Sequence, residues 1–279
     1  MTVAAGPPRS PSSFRDPAGF IFREGPHVRR AVTEYGLPHF RAVRATGFIN
    51  RLTASGRLWP EEEVASSLAG HADVRLVLEH PPLPFVSYPY EWPFRALQAA
   101  ALLHLDVQID ALDAGVMLTD ASAYNVQFVG VRPVFIDHLA FRPYRDGELW
   151  AGHRQFCEQF LHPLLLQGLA GIEYQSWYRG RIDGIPGADV VRLLSWHQKL
   201  RWNVMTNVVA PVRLQRLAGR PGAERRVARA RLPKAGLRGM LESLRRWIAR
   251  LEPRGLGQTP WSAYEATVPD PESRAIAAV

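Results

Sequence analysis

The chain has 279 residues, 47% of them hydrophobic, and a formal net charge of +8. This length and apolar content suffice for one large domain or two small ones. The single cysteine, Cys157, excludes an intramolecular disulfide and fits a reducing compartment. No apolar run reaches the length of a membrane helix, and residues 1–14 are too polar and proline-rich for a signal peptide. We therefore expect a soluble, cytoplasmic protein with no membrane partner and a disordered start over residues 1–14.

The positive charge is concentrated near the C-terminus. From Arg213 to Arg254 there are 13 arginine or lysine residues against 3 acidic ones, an excess of +10, so the total of +8 leaves −2 for the rest of the chain. We interpret this segment as a solvated linker and helix face, and secondly as a contact surface for a neighbouring domain. A basic nucleic-acid-binding module is a third hypothesis. No helix-turn-helix, zinc or aromatic-platform signature accompanies the charge, so nucleic acid is not the expected partner.

The first third of the chain has the pattern of a small sheet with one or two helices. Residues 19–32 predict two strands around a Gly-Pro turn. Apolar residues at helical intervals predict a helix over 38–55, and the acidic run 61–64 predicts the start of a short helix. Residues 74–80 and 85–89 predict two further strands, interrupted by a pair of prolines.

From residue 91 onward the pattern is mainly helical. The most regular apolar spacing predicts a long amphipathic helix over 91–114, ended by Gly115. A loop and then a β-hairpin over 126–129 and 133–136 follow it. Further helices are predicted over residues 149–166, 188–196, 197–217 and 237–251.

This order of elements predicts an α+β fold with two lobes. Residues 15–90 are predicted to form a small N-terminal sheet lobe and residues 91–218 a larger helical C-terminal lobe with a catalytic-type loop. The remaining residues, 219–279, are predicted to form a basic linker, an amphipathic helix and a tail.

Three polar side chains at fixed spacing carry the strongest functional signal. Four residues separate Asp120 from Asn125, and eleven more lead to Asp137, which closes the apolar run 133–136. Phosphoryl transfer uses such a set, because one carboxylate orients the attacking hydroxyl while an amide and a second carboxylate hold Mg²⁺ on the phosphates. The pattern therefore predicts a kinase-type site with Mg²⁺ and ATP as cofactors.

These residues resemble the catalytic and metal-binding segments of aminoglycoside-phosphotransferase-like kinases. Most of the chain more closely resembles the kinase-like N-terminal region that precedes a class I SAM-dependent methyltransferase domain in some bacterial proteins, nodulation-type methyltransferases among them. The motifs that carry this resemblance are 87–92 (SYPYEW), 120–125 (DASAYN), 133–137 (PVFID), 154–160 (RQFCEQF), 182–186 (IDGIP) and 261–264 (WSAY). The resemblance implies a two-lobed protein-kinase-like fold and a methyltransferase domain or subunit as partner.

The resemblance also implies roles for individual residues. Asp120 matches the catalytic base, while Asn125 and Asp137 match the metal ligands. Leu118 stands where many kinases have a histidine, two residues before the aspartate. No glycine-rich phosphate loop appears in the N-terminal strands, and His138 follows Asp137 where eukaryotic-type kinases have phenylalanine.

The cation that contacts the nucleotide phosphates in kinases has no lysine counterpart in the N-terminal strands. The only two lysines, Lys199 and Lys234, follow the motif in chain order. Arg29, Arg30 or Arg75 would have to replace the usual strand lysine, and arginine is a larger, planar group. Tyr88 and Tyr90 occupy the expected hinge, where an aromatic ring can stack on adenine, although packing is the commoner use of such rings.

Two functional hypotheses therefore stand beside the nucleic-acid one. The first is a pseudokinase that binds nucleotide or substrate, or regulates a SAM-dependent methyltransferase. The second is an active ATP- and Mg²⁺-dependent phosphotransferase that acts on a small-molecule or saccharide hydroxyl. They separate on whether a cation from the N-terminal sheet reaches the cleft. SAM itself is not expected to bind this chain, which lacks a strand followed by a glycine-rich turn.

Overall fold

The computed structural model describes residues 16–65, 68, 73–218 and 231–255. The fold is mixed α+β, with a small antiparallel sheet followed by a larger helical part, as the sequence predicts. The predicted disordered start, most of the predicted linker (219–230) and the predicted tail (259–279) lie outside the described residues.

Four strands form the N-terminal sheet in the order β1-β2-β4-β3, all antiparallel. They are β1 (Gly19–Glu24), β2 (His27–Thr33), β3 (Glu62–Glu63) and β4 (Val74–His80). The strands predicted over 19–32 and 74–80 are confirmed. The helix predicted to start at residues 61–64 is wrong, because β3 is an edge strand that pairs with β4.

Two short helices replace the single helix predicted over 38–55. These are α1 (Leu37–Ala45) and α2 (Phe48–Ala54). Gly47 separates them with a φ of +70°, a left-handed conformation that glycine adopts without a steric penalty. The Thr46 hydroxyl also accepts a hydrogen bond from Phe48 N at 3.2 Å, which supports the start of α2.

The segment that connects the sheet to the helical part is irregular, so the strand predicted over 85–89 is wrong. The main chain of Ser87 bonds to a side chain instead of a neighbouring strand: Ser87 N donates to Gln127 Oε1 at 3.0 Å, and Gln127 Nε2 donates to Ser87 O at 3.0 Å. A single turn of 3-10 helix (Pro89–Glu91) follows.

The predicted long helix is confirmed as α3 (Phe94–Asp113), and Gly115 ends it with a φ of +73°. All six residues predicted to line its apolar face are buried, and they are Phe94, Leu97, Ala101, Leu105, Ile109 and Leu112. The predicted hairpin is also confirmed. The strands after α3 are β5 (Val116–Leu118), β6 (Val126–Val129), β7 (Arg132–Phe135) and β8 (Phe141–Pro143), in which β5 pairs with β8 and β6 with β7.

The next helix is continuous over 153–170 and contains two π-helical turns. Its segments are α4 (His153–Phe156), the π-helical Cys157–Leu161, α5 (His162–Leu165) and the π-helical Leu166–Ala170. It is followed by α6 (Gln175–Arg179), α7 (Gly187–Leu193), α8 (Trp196–Lys199), α9 (Trp202–Val204), the π-helical Met205–Val209, α10 (Ala210–Ala218) and α11 (Lys234–Ala249). No helix within the described ranges is both long and apolar enough to cross a bilayer.

The C-terminal helix α11 runs antiparallel to α3 and uses part of the basic segment for internal contacts. Arg238 pairs with Asp113 at 3.0 Å, and Arg245 pairs with Asp106. Gln98 Nε2 donates to Leu251 O at 2.9 Å near the other end of α3. These arginines therefore pair with acids of the same chain, which reduces the positive charge available to an external acidic ligand.

Candidate functional site

Main-chain hydrogen bonds bring the loop after β5 against the end of β7. Ile136 N donates to Asn125 O at 2.9 Å, which extends the β6–β7 pairing past both strand ends. Asn125 N in turn donates to Ser122 O at 3.1 Å and closes a tight turn. Asp137, the next residue after Ile136, is thereby fixed beside the loop that carries Asp120 and Asn125.

Two glutamines on the helix 153–170 hold this loop in place. Gln155 Oε1 accepts from Ala121 N at 2.9 Å, while its Nε2 donates to Asp120 Oδ1 at 2.8 Å. Gln159 Oε1 accepts from Ala123 N at 2.7 Å and from the Ser122 hydroxyl at 3.2 Å. Residues four apart lie on one helix face, so both amides point to the same loop. Gln155 and Gln159 both lie in the motif 154–160, but neither was predicted from the sequence to have a role in the site.

The environment of Asp120 favours its neutral form. Burial raises the pKa of Asp120, and the negative charge of Asp137 raises it further. Hydrogen bonds from Gln155 Nε2 and Ser122 N to Asp120 Oδ1 oppose this shift. The Asn125 amide also lowers the pKa as a close neighbour, although its Nδ2 is buried without a formed hydrogen bond. Asp120, Asn125 and Asp137 therefore act on one another electrostatically.

The main chain between α2 and β3 connects the site to the N-terminal sheet. Trp59 N donates to Phe135 O at 2.8 Å, and Phe135 N donates to Arg57 O at 2.9 Å. Leu58 and Phe135 thus form an isolated parallel bridge on the edge of β7. Asp137 is held from both sides, by the catalytic-type loop and by this segment.

Arg30, on β2, is the sheet cation that reaches Asp137. Its Nη1 donates to Asp137 Oδ1 at 2.5 Å, and its Nη2 donates to Asp16 Oδ2 at 3.0 Å. The Arg30 side chain is 11% exposed and that of Asp137 is 13% exposed. Burial acts to lower the pKa of Arg30, but the charges of Asp137 and Asp16 outweigh it, and the pKa is raised. Leu139 N also donates to Asp137 Oδ1, at 2.9 Å.

The other two candidate arginines lie elsewhere. Successive side chains of a strand point to opposite faces of its sheet, so Arg29 points away from Arg30. Arg29 pairs with Glu79 at 3.0 Å and with Glu24. Arg75 pairs with the exposed Glu34 at 2.6 Å. Of the three arginines, only Arg30 contacts a residue of the predicted site.

Tyr88 and Tyr90 stack on each other in the connecting segment. Their ring centroids are 5.4 Å apart and the planes differ by 5°. The Arg179 guanidinium lies 6.0 Å from the Tyr90 centroid. Tyr88 is 43% exposed. An adenine ring would therefore find its free aromatic surface on Tyr88, and no contact joins either tyrosine to Arg30 in the described part of the chain.

Leu118, at the position where many kinases have histidine, is buried and anchored through its main chain. Leu118 N donates to Gln108 Oε1 at 2.9 Å, and Trp150 Nε1 donates to Leu118 O at 3.0 Å. A histidine does lie beneath the loop, but it comes from α3. His104 is fully buried, its ring near the Asp120 main chain and 5.7 Å from the Phe135 ring centroid.

The residues present fit a divalent cation with few protein ligands. Asp137 Oδ2 and the Asn125 side-chain oxygen accept no hydrogen bond from any described residue, and these are ligand types that Mg²⁺ accepts. Within the described ranges, no three His, Cys, Asp or Glu side chains converge on a metal site. A cation here would therefore take Asn125 and Asp137 from the protein and its other ligands from phosphate and water.

The fold and the site define an α+β protein in which a sheet arginine meets an Asp/Asn/Asp set at the edge of a helical part. No family model matches the chain. It is similar to the nodulation protein NoeA of Rhizobium meliloti (strain 1021), with 42% identity over 270 residues, covering 95% of this chain and 56% of that protein. The chain thus spans about half the length of this curated relative. Among solved structures, vaccinia related kinase 3 shares 13% identity and a TM-score of 0.37, with 86% of each chain covered.

Proposed function

We propose that this chain is a kinase-like domain that binds a nucleoside triphosphate together with a divalent cation, between the N-terminal sheet and the helical part. The observation that carries the proposal is the contact between Arg30 and Asp137. It joins a cation of the sheet to the carboxylate at the position expected for a metal ligand. Since the pseudokinase and phosphotransferase hypotheses separate on whether a sheet cation reaches the site, this contact supports both a phosphate-binding cleft and the phosphotransferase hypothesis.

The charges around Arg30 support a cation requirement. Asp16 and Asp137 both contact the single guanidinium of Arg30, and the charge of Asp137 also acts on Asp120, so carboxylates outnumber the cation at this site. Polyphosphates are themselves anionic, so they need a divalent cation to bind next to such carboxylates. The cation supplies charge neutralisation on the phosphates, while Asn125 and Asp137 would hold it and Arg30 would contact a phosphate oxygen.

The role that we propose first is that of a pseudokinase. In this role the domain binds nucleotide or substrate, or regulates a SAM-dependent methyltransferase domain or subunit. The methyltransferase partnership is supported by the motif resemblance and by the greater length of the NoeA relative. A binding titration between this chain and the separately expressed remainder of that relative tests it, and absence of binding at 100 µM, about the weakest affinity expected of a specific complex, would count against it.

Phosphoryl transfer to a small-molecule or saccharide hydroxyl is the second candidate, and the geometry of Asp120 favours it. Asp120 Oδ1 is held by Gln155 and Ser122, whereas Oδ2 accepts no formed hydrogen bond from a described residue. This oxygen is free to orient a hydroxyl, and a raised pKa suits an acceptor of its proton. Transfer of labelled phosphate to a panel of hydroxyl compounds, lost in Asp120→Asn with nucleotide binding retained, is the supporting result.

Calorimetric titration of ATP with and without Mg²⁺ tests nucleotide binding. The wild type should bind in a Mg²⁺-dependent manner, and Asp137→Asn should lose that dependence. Arg30→Gln should weaken binding about tenfold, the equivalent of one charge-assisted hydrogen bond. Arg29→Gln is the matched control, since it removes the same charge from the adjacent position on the opposite face of β2. No binding by the wild type at millimolar ATP, or equal losses in both arginine variants, would refute the proposal.

A further inference from the structure

Asp16 occupies the second donor edge of the arginine on which the proposed site depends. Its Oδ2 accepts from Arg30 Nη2 at 3.0 Å, while Asp137 takes Nη1. Arg30 Nε, the third nitrogen of the guanidinium, is buried and has no partner among the described residues. Each terminal nitrogen keeps a second N–H, but a phosphate that approaches either one meets a carboxylate already bound there, whose negative charge repels it.

Asp16 is the carboxylate that can leave. Asp137 is less exposed, at 13%, and Leu139 N donates to the same oxygen that Arg30 contacts. The Asp16 side chain is 33% exposed, and apart from Arg30 its only described bond is from Ala18 N to Oδ1 at 2.8 Å. The main chain after Asp16 is separately fixed, because the Thr33 hydroxyl donates to Pro17 O at 2.6 Å and Thr33 N donates to Ala18 O at 2.9 Å. A rotation of the Asp16 side chain therefore frees Arg30 without detaching the segment from the sheet.

We propose that Asp16 is an internal competitor for the phosphate group of the ligand: its carboxylate holds Arg30 in the ligand-free protein and is displaced when a polyphosphate binds. The inference rests on the proposed nucleotide function for its physiological ligand, but it makes a claim about Arg30 and Asp16 that holds for any polyphosphate. The segment at residue 16 thereby sets the affinity of the site. Modification or binding of a partner at this segment would regulate access to Arg30.

Two probes separate this inference from the nucleotide proposal. The first is ATP with Mg²⁺, and the second is inorganic triphosphate with Mg²⁺, which has no base to recognise. Asp16→Asn is the principal variant, because asparagine keeps an oxygen for Ala18 N and loses only the negative charge. Asp16→Ala, Arg30→Gln and the double variant Asp16→Asn/Arg30→Gln complete the set, with circular dichroism as the check on folding.

Asp16→Asn should bind inorganic triphosphate about tenfold more tightly than the wild type, the equivalent of one charge-assisted hydrogen bond. This gain should disappear in the double variant, because it acts through Arg30. Unchanged or weaker triphosphate binding in Asp16→Asn and Asp16→Ala, or a gain that persists without Arg30, would overturn the inference. Failure of ATP to bind in every variant, with the triphosphate gain intact, would refute the nucleotide proposal and leave the competition established.

Discussion

Glu61 and His138 are buried and face each other immediately beside Asp137. His138 Nδ1 lies 3.1 Å from Glu61 Oε2, and the two side chains are 0% and 3% exposed. His138 Nε2 donates to Trp59 O at 2.7 Å, so Nδ1 is the ring nitrogen that faces Glu61. Arg44 contacts the other Glu61 oxygen at 3.1 Å. Burial acts to raise the pKa of Glu61, but His138 and then Arg44 outweigh it, and the pKa is lowered.

We expect Glu61→Gln to destabilise the fold by about 3 kcal/mol, because it removes a buried carboxylate that faces both His138 and Arg44. Urea unfolding measured at pH 7 gives the change in the free energy of unfolding. Glu63→Gln is the matched control, since Glu63 is exposed and lies 3.6 Å from the same Arg44, and it should cost less than about 0.5 kcal/mol. Equal effects of the two substitutions would show that the buried pair contributes nothing of its own.

Replacement of Gln155 should change the protonation of Asp120. Gln155→Met removes the donor that lowers the pKa of Asp120, so that pKa should rise further above its ordinary value. Gln159→Met removes bonds to the same loop but none to the carboxylate, which makes it the control. Each variant should cost about 1–3 kcal/mol, since each leaves a buried main-chain N–H unpaired. A carboxyl-detected NMR titration of Asp120 distinguishes them, and equal pKa values in both variants would contradict the assignment.

Buried neutral histidines should make the fold sensitive to acid. Burial lowers the pKa of His104 to about 3, against 6.5 for an unperturbed histidine. The stability associated with its neutral form is therefore complete above pH 6.5 and is lost as the pH falls from 6.5 towards 3, by up to about 1.4 kcal/mol per pH unit. The pKa of His162 and of His80 is lowered to about 4 in the same way, so both add to the effect.

His104→Phe isolates one of these contributions. The ring lies among the aromatic side chains Phe135, Trp150, Phe156 and Phe160, and neither nitrogen has a formed hydrogen bond in the described structure. Phenylalanine should therefore fit, and the loss of unfolding free energy between pH 6 and pH 4 should be shallower by about 1.4 kcal/mol per pH unit. His39 is exposed, so His39→Gln is the control for the loss of a histidine. An unchanged pH slope in His104→Phe would exclude His104 as a source of acid sensitivity.

The C-terminal helix α11 should unfold together with the rest of the described structure. Leu241 is fully buried in the same core as α3, and Leu241→Ala should cost about 3 kcal/mol. Leu214, which is exposed, is the control, and Leu214→Ala should cost less than about 0.5 kcal/mol. Thermal unfolding followed by both circular dichroism and tryptophan fluorescence is the measurement. A separate early transition in Leu241→Ala would mean that α11 unfolds independently of the core.

The parts of the fold that the sequence predicts are those with a strong local pattern. The apolar spacing along α3 and the short separation of β6 and β7 require no distant partner, and both are present as predicted. Residues 61–64 and 85–89 were misassigned because their partners lie far away in sequence: β3 pairs with β4, and Ser87 bonds to a side chain forty residues later. Gly47 divides the helix predicted over 38–55 because it adopts a left-handed conformation, with a φ of +70°.

For the site, the spacing of Asp120, Asn125 and Asp137 predicted the candidate residues but not their surroundings. Adjacent arginines at positions 29 and 30 are indistinguishable in the sequence, and only the pairing of β2 with its neighbours decides which one faces Asp137. Gln155 and Gln159 contact a loop more than thirty residues earlier. Their spacing of four in a helical segment was the available signal, and it indicates a shared face without indicating what that face contacts.

The main-chain bridge between Leu58 and Phe135 limits how the cleft can open. A rotation of the sheet about the connecting segment 81–92 would have to break the two hydrogen bonds at Trp59 and Arg57 as well as the Glu61–His138 pair. The sheet and the floor of the site therefore move as one unit near Asp137, and a hinge of the whole lobe is disfavoured there. Entry and release of a ligand would instead depend on small side-chain and loop displacements at the rim.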